Sequence, residues 1–166
     1  MNIRQKSQKG FTLVELLVVI AIIGILATLL LLQLGVARQR ARDAKRIADV
    51  NQVRTALELF YDDNGQYAQQ ATFAGLSGAL VPKYLTLLPV DPLNLSPYTY
   101  NYAYNGNTKY QVWAELEQWA QALASDGDVN STAGGWTGQT VNGATDLKTN
   151  CTSIAADCVY DQGQSQ

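Results

Sequence analysis

Glu15 is the single charged residue between Phe11 and Leu32, a run of 22 positions reading FTLVELLVVIAIIGILATLLLL. A lone carboxylate in such a run can reach up to the headgroups of a bilayer, or it can pair with a cation inside an assembly. At mid-membrane it costs about 2.5–3.5 kcal/mol, less near the edge, so an acid kept there is a functional-site hypothesis. Asp126-Gly127-Asp128-Val129-Asn130 alternates oxygen-bearing side chains at a spacing calcium accepts. It is not an EF-hand loop, because Ser131 and Thr137 stand where that loop needs glycine and a bidentate glutamate; the other reading is a turn that favours Asp and Gly. Tyr98, Tyr100, Tyr102 and Tyr104 alternate with other residues. They would serve either as a stacking surface for a glycan or a base, or as a sheet face covering a core. With no histidine, Ser-His-Asp triads, His-ligated zinc and His-ligated haem are excluded in their usual forms. The two cysteines, Cys151 and Cys158, are too few for a four-cysteine zinc site.

Charge is strongly segregated along the 166 residues. The net charge of −2 and the 16% of charged residues argue against a polybasic nucleic-acid binder and against a charge-driven disordered chain. Residues 1–10 carry Arg4, Lys6 and Lys9 and no acid. Residues 33–54 carry six basic groups against Asp43 and Asp49, and residues 55–166 carry three lysines against eleven acids. A basic start, an apolar segment, a basic collar and an acidic head describe a membrane-linked chain. At ~1.5 Å per residue the apolar run spans roughly 33 Å as a helix, enough for the hydrocarbon layer. It is longer than a secretory signal's apolar core, and Gly35-Val36-Ala37 offers only a weak cleavage site after it.

The pattern then changes. Ala44, Ile47, Val50, Val53, Leu57 and Phe60 recur every three or four residues, and no proline precedes Pro82. One helix is predicted over residues 12–64, stopped at Asp62-Asp63-Asn64-Gly65 with Gly65 free to take the left-handed cap. The collar has three readings: most often such a run is a solvated face, and the others are contact with lipid headgroups or with the acidic head of a neighbour. Between the last two, electrostatics favours headgroups. Beyond the helix, Leu76–Leu85 allows one or two helical turns, interrupted at Pro82, and Leu88-Pro89-Val90-Asp91-Pro92 reads as a rigid extended turn. Period-two alternation predicts a strand over Tyr98–Asn105, a hairpin at Asn105-Gly106 and a return strand over Lys109–Leu116. Leu116, Trp119, Ala120 and Leu123 suggest a short helix, and from Ser125 onward the composition is that of a loop.

Lys9-Gly10-Phe11-Thr12-Leu13-Val14-Glu15-Leu16 resembles the class III signal of type IV pilins and pseudopilins. The likeness runs without a gap from Gly10 to about Ala27. The Tyr84-Leu85…Leu88-Pro89-Val90-Asp91-Pro92 run, followed by Pro97-Tyr98, is similar to the middle of the major pseudopilins of type II secretion. The resemblance implies an α+β pilin fold, in which a long N-terminal helix packs on a small antiparallel β-sheet head. It implies four parts: a leader over 1–10, a transmembrane and filament-core helix half over 11–32, an amphipathic half over 33–64, and a globular head with a C-terminal loop over 65–166. A membrane peptidase would cut after Gly10 and methylate the amine of Phe11. Glu15 would then meet that ammonium on a neighbouring subunit and set the register of assembly. The collar is at least as basic as the leader, so a bare charge count would put it in the cytoplasm; the resemblance puts the head outside. There Cys151 and Cys158 would form a disulfide, adding ~2–3 kcal/mol for so short a loop. Major pseudopilins bind calcium in a C-terminal loop, which directs that expectation to Asp126, Asp128 and Asn130; no other cofactor is expected.

The leading functional reading is therefore a non-enzymatic filament subunit. Its partners would be further copies of itself, the prepilin peptidase, the membrane, and an assembly platform with its ATPase; direct nucleic-acid binding is not expected. It would sit in the cytoplasmic membrane with its head outside, then in an extracellular or periplasmic filament. The alternatives are a major pseudopilin of type II secretion, a membrane-anchored module with a tyrosine-lined ligand face, and a soluble enzyme released by ordinary signal cleavage.

Overall fold

The computed structural model describes residues 10–143, Cys151 and residues 158–164. The leader charges Arg4, Lys6 and Lys9 lie outside the described residues. Element order is α1 (Leu13–Asn64), α2 (Leu76–Leu80), β1 (Tyr100–Asn105), β2 (Lys109–Glu115), a 3-10 turn (Gln121–Ala124), β3 (Thr137–Gly138) and β4 (Val159–Gln164). Contacts divide the chain into two units, Met1–Arg38 and Gln39–Gln166.

The first unit is helical from Leu13 onward, and its apolar side chains are exposed on every face. Phe11 is 82% exposed, and Leu17, Ile20, Ile23, Leu26 and Leu30 are all exposed. Among the described residues, α1 is the one helix long and apolar enough to cross a membrane. A helix that is apolar all round is suited to an apolar surrounding, not to water.

In the second unit, α1 carries a buried stripe at Val50, Val53, Ala56 and Leu57, with Ile47 and Phe60 partly buried at its ends. The expected start of that stripe, Ala44, is exposed; Asp43 and Arg46 are buried in its place. The helix ends at Asn64. Gly65 takes φ +68° and donates its N–H to the Tyr61 carbonyl at 2.7 Å, the left-handed cap that glycine adopts at least cost.

The sheet is antiparallel with strand order β3-β1-β2-β4. The hairpin pairs Asn105 with Lys109, and Gly106 has φ +58°. Register places Tyr100, Tyr102, Tyr110, Val112, Ala114 and Tyr160 on one face. They form one core with Val50, Val53, Leu57, Leu76 and Leu80, each apolar side chain contributing about 1.5–3 kcal/mol by burial. The opposite face carries Gln111, Glu115 and Asp161, all buried.

Two expectations fail here. Leu116–Ala120 is not helical, because the N–H groups of Glu117 and Gln118 both donate to the Asp43 carboxylate, at 2.9 Å each, leaving only the short 3-10 turn that follows. The region after Ser125 is not all loop, since Val159–Gln164 forms the outer strand β4.

Candidate functional site

Three places in the structure gather candidate functional residues. The first is the start of α1. Gly10 is exposed, and among the described residues a side chain there would meet nothing within 4 Å. Glu15 Oε2 accepts the Thr12 N–H at 2.8 Å and the Thr12 hydroxyl at 2.7 Å, while Thr12 Oγ1 accepts the Glu15 N–H at 3.3 Å. This is a capping box, which uses the acid to satisfy donors that an α-helix leaves open at its first turn. Gly10, Phe11, Thr12 and Glu15 thus stand together, and Glu15 has a local partner within its own chain.

The second place was missed by the sequence reading. Arg46 is fully buried, and its guanidinium meets three carboxylates. Nε donates to Asp91 Oδ2 at 2.6 Å and Nη2 to Asp91 Oδ1 at 3.1 Å, a two-pronged pair; Nη1 donates to Asp43 Oδ1 at 2.7 Å and to Glu117 Oε1 at 2.8 Å. Arg42 Nε donates to the same Glu117 at 2.7 Å, and the Tyr98 ring lies 4.7 Å from Arg46 Cζ. Asp91 Oδ1 also accepts the N–H groups of Leu93 and Asn94, at 2.8 and 3.1 Å. Burial would lower the Arg46 pKa, but the bonds from Asp91, Glu117 and Asp43 outweigh it and hold the group above its ordinary value. Burial raises the Asp91 carboxyl, and the Arg46, Leu93 and Asn94 bonds more than offset that and hold it low. Arg42, with Arg46, holds Glu117 low against burial, whereas burial keeps Asp43 above the usual carboxylate range. The cluster ties α1 to the Leu-Pro-Val-Asp-Pro segment and to the end of β2. It narrows the readings of the collar: Arg42 and Arg46 are consumed inside the head and Lys45 pairs with Asp49, while Arg38, Arg40 and Arg54 are exposed. Asp43 and Arg46 stand three apart on α1, the one signal that could have shown a local ion pair; nothing in sequence placed Asp91 and Glu117 beside them.

The tyrosine row is inward. Tyr100 donates to Asp49 at 2.6 Å, Tyr102 to the Ala68 carbonyl at 2.8 Å and Tyr110 to Glu58 at 2.7 Å. Tyr100 and Tyr102 are buried, so they present no stacking surface to a ligand.

The third place is the C-terminal region. Cys151 and Cys158 form a disulfide with Cα atoms 5.4 Å apart. Asp126 Oδ2 accepts the Asp161 N–H at 3.3 Å. Asp128 is exposed with φ 47°, and Asn130 Oδ1 accepts both the N–H and the hydroxyl of Thr132, at 3.0 and 2.7 Å. Among the described residues no group of three or more Asp, Glu, His or Cys side chains is placed to hold a metal ion. The residue that sequence missed here is Asp161, fully buried on β4, whose Oδ2 accepts Gln111 Nε2 at 2.7 Å and the Val129 N–H at 2.9 Å.

Comparison with known proteins bears on the first place most directly. The family described as "Prokaryotic N-terminal methylation motif" matches residues 5–31. Type II secretion system core protein G of Klebsiella michiganensis is 35% identical over 100 residues, covering 54% of this chain and 70% of that protein. The protein of the same name from Pseudomonas aeruginosa is 35% identical over 111 residues, covering 58% and 75%. The type IV wide pilus major component PilA4 of Thermus thermophilus is 42% identical over 82 residues, covering 49% and 63%. No solved structure matches the chain significantly. With its apolar α1 led by Thr12 and Glu15, its four-stranded antiparallel sheet and these relatives, the chain belongs to the family of pilin-type structural subunits that includes the type IV pilins and the type II secretion pseudopilins.

Proposed function

We propose that this chain is made as a membrane-anchored precursor, is cut after Gly10 by a prepilin peptidase, is methylated on Phe11, and polymerises through its N-terminal helix into a type IV pilus-like filament. The observation that carries this reading is the exposure of the whole apolar circumference from Phe11 to Leu31. That much apolar surface is stable only in lipid or against other apolar helices. One surrounding before assembly and the other after it accounts for both. Glu15 suits the transfer: its capping bonds to Thr12 partly satisfy it in the single subunit, and a neighbour's Phe11 ammonium would complete it in the polymer. The disulfide supports a head outside the cytoplasm. An assembly platform and a cytoplasmic ATPase are the remaining partners, and the subunit itself acts as structure, not as an enzyme.

The second reading is a major pseudopilin whose filament serves type II secretion. It is favoured by the type II core proteins G, of which this chain spans 70% and 75% in the two cases above, against 63% of the pilus component.

Mass spectrometry of the protein from its native host tests the core of the proposal. The expected result is a chain beginning at Phe11 and carrying a methyl group; a working protein that keeps its first ten residues would overturn it. Pilus and pseudopilus separate when the gene is deleted: loss of surface filaments marks the first, loss of exported proteins with surface filaments intact marks the second.

A further inference from the structure

Among the described residues the head unit, Gln39–Gln166, exposes five large apolar side chains, and three of them, Val90, Leu95 and Trp119, are fastened to the end where the unit begins. Val90 precedes Asp91, which holds Arg46 through two bonds. Leu95 forms a bridge with Tyr98, whose ring lies 4.7 Å from Arg46 Cζ. Trp119 follows Gln118, whose N–H donates to Asp43 at 2.9 Å and whose Nε2 donates to Gln39 at 3.1 Å. All three are therefore tied to the first turns of α1 within the head, residues 39–46. The other two lie farther along. Leu59 stands five residues before the end of α1, and Leu87 follows a segment that starts at that end, where Lys83 and Tyr84 both donate to Asp63.

Charge at this end differs from that of the head as a whole. Residues 55–166 carry eleven acids against three lysines. Yet Asp43, Asp91 and Glu117, the carboxylates gathered here, all accept from Arg46, and Glu117 accepts from Arg42 as well. Arg40 is exposed on the same turns, and Lys45, paired with Asp49, is half exposed. An anion approaching this end meets neutralised carboxylates and an outward guanidinium. The chain also fixes where this end can be. Leu16–Ala37 is a run of 22 residues without a charge, bounded by Glu15 and Arg38. As a helix it spans about 33 Å, close to the thickness of the hydrocarbon layer. Gln39, to which Gln118 donates, is the second residue beyond that run.

We infer that Val90, Leu95 and Trp119, with Arg40, form a foot by which the head rests on the headgroups of an anionic bilayer before assembly. The inference builds on the membrane-anchored precursor proposed above and adds an orientation to it: the head is held with one end down. Tryptophan and tyrosine rings, apolar in body and polar at one edge, settle at the membrane–water boundary, and exposed arginines there attract anionic lipid. Lipid is favoured over a neighbouring head because the span already tethers the foot at the surface. Contact with the bilayer is then intramolecular in effect, at high local concentration, and a few weak contacts suffice. The buried Arg46 cluster gains a second consequence: it fixes the 90–98 and 117–119 segments to one turn of α1 and removes the acids that would repel the lipid.

The test places the full chain in lipid nanodiscs whose lipids are brominated near the glycerol end of the acyl chain. One protein keeps Trp119 alone (Trp113→Phe with Trp136→Phe); the other keeps Trp136 alone (Trp113→Phe with Trp119→Phe). Trp136 serves as the control because it belongs to the opposite end. Its neighbour Gly135 packs on Asn105 beside the hairpin turn, and the Asn107 carbonyl of that turn accepts the Tyr67 N–H at 2.8 Å, just past the end of α1. Trp119 emission should be quenched and Trp136 emission should not. Phosphatidylglycerol should raise the quenched fraction above that in phosphatidylcholine, and salt should lower it. Arg40→Gln should lower the ratio of quenched to unquenched Trp119 about fivefold, and Leu95→Asp should lower it as well. Co-elution of chain and disc reads the anchor separately. Unquenched Trp119 in a chain that is in the disc overturns the foot and leaves the anchored precursor standing; a chain that never enters the disc overturns both. Equal quenching of the two tryptophans, or quenching indifferent to lipid charge, overturns the foot too. An emission shift of Trp119 that arises only in assembled filaments gives this face to a neighbouring copy and likewise overturns it. Should a single-tryptophan protein fail to fold, amide exchange of the unsubstituted chain decides: slower exchange at Asn94–Ser96 and Trp119–Gln121 in anionic than in neutral discs is expected, and equal exchange overturns the inference.

Discussion

Residues 13–31 and residues 43–57 belong to one helix and share one backbone conformation, yet they stand in opposite relations to water. In the first stretch every described side chain is exposed, although nearly all are apolar; in the second, the apolar side chains at Val50, Val53, Ala56 and Leu57 are buried and the exposed positions are largely polar. Helix propensity cannot separate them, since both are rich in good helix formers. The difference lies in where each finds an apolar partner. The second stretch carries its stripe on one side and covers it with tyrosines, Leu76 and Leu80 of its own head. The first has apolar groups all round and finds no cover among the described residues, a surface suited to an apolar surrounding. A single acid marks the start of the first stretch, and a buried arginine opens the second.

Breaking each half should therefore have different consequences. The largest effect is expected from Glu15→Ala: the head should unfold at an unchanged temperature while filament yield in the native host falls to background, and normal filaments would remove the role given to Glu15. Next, Arg46→Ala should destabilise the head by about 3–5 kcal/mol, since it strands the Asp91 carboxylate in the interior and leaves Asp43 only main-chain donors, while Glu117 keeps Arg42; denaturant unfolding of the chain in detergent measures it. Leu57→Ala should cost about 2–5 kcal/mol by the same assay, whereas Leu26→Ala, on the exposed half, should leave head stability within ~0.5 kcal/mol. An equal loss at both sites would erase the distinction between the halves.

Acid sharpens the comparison further. Asp91 and Glu117 have folded pKa values below their unfolded ones. Their contribution is therefore fully present above the ordinary carboxylate range and is lost as pH falls through the lowered values. Asp43 is shifted the opposite way by burial, so its protonation on the way down partly relieves the cluster. The net expectation is a head whose unfolding midpoint drops below about pH 4, with a smaller drop in Arg46→Ala, where the shifts of Asp91 and Glu117 are reduced. The smallest effect belongs to Thr12→Val, which removes the hydroxyl of the capping box. Fraying of the first turn by about 1 kcal/mol should appear as faster amide exchange at Leu13–Leu16, with no change in the head.

Much of this molecule was legible before its structure. The long helix and its stop at Gly65, the hairpin at Asn105-Gly106 and the Gly10–Glu15 segment all rest on local chemistry: a 3.6-residue or two-residue period, a glycine able to take positive φ, and an acid alone in an apolar run. The tyrosines could be placed on one face by their period, but only packing showed that the face turns inward. The collar was read only in part, because charge was counted by segment. Arg42 and Arg46 are close in sequence to Arg38 and Arg40 but are neutralised by Asp91 and Glu117, which lie 45 and 71 residues beyond Arg46. Strand β4 escaped because Val159–Gln164 is short and polar, and its outward side chains are buried by a loop and not by apolar neighbours.

Sequence by itself determined what repeats over a few residues or stands out locally: which segment is apolar all round, where the helix ends, and where the lone acid Glu15 lies. Only the tertiary structure decided which charges are buried together, Arg46 with Asp91 and Glu117, and Asp161 with Gln111. Those pairs come from segments distant along the chain, and the energy that matters for a charge is set by whatever surrounds it in space.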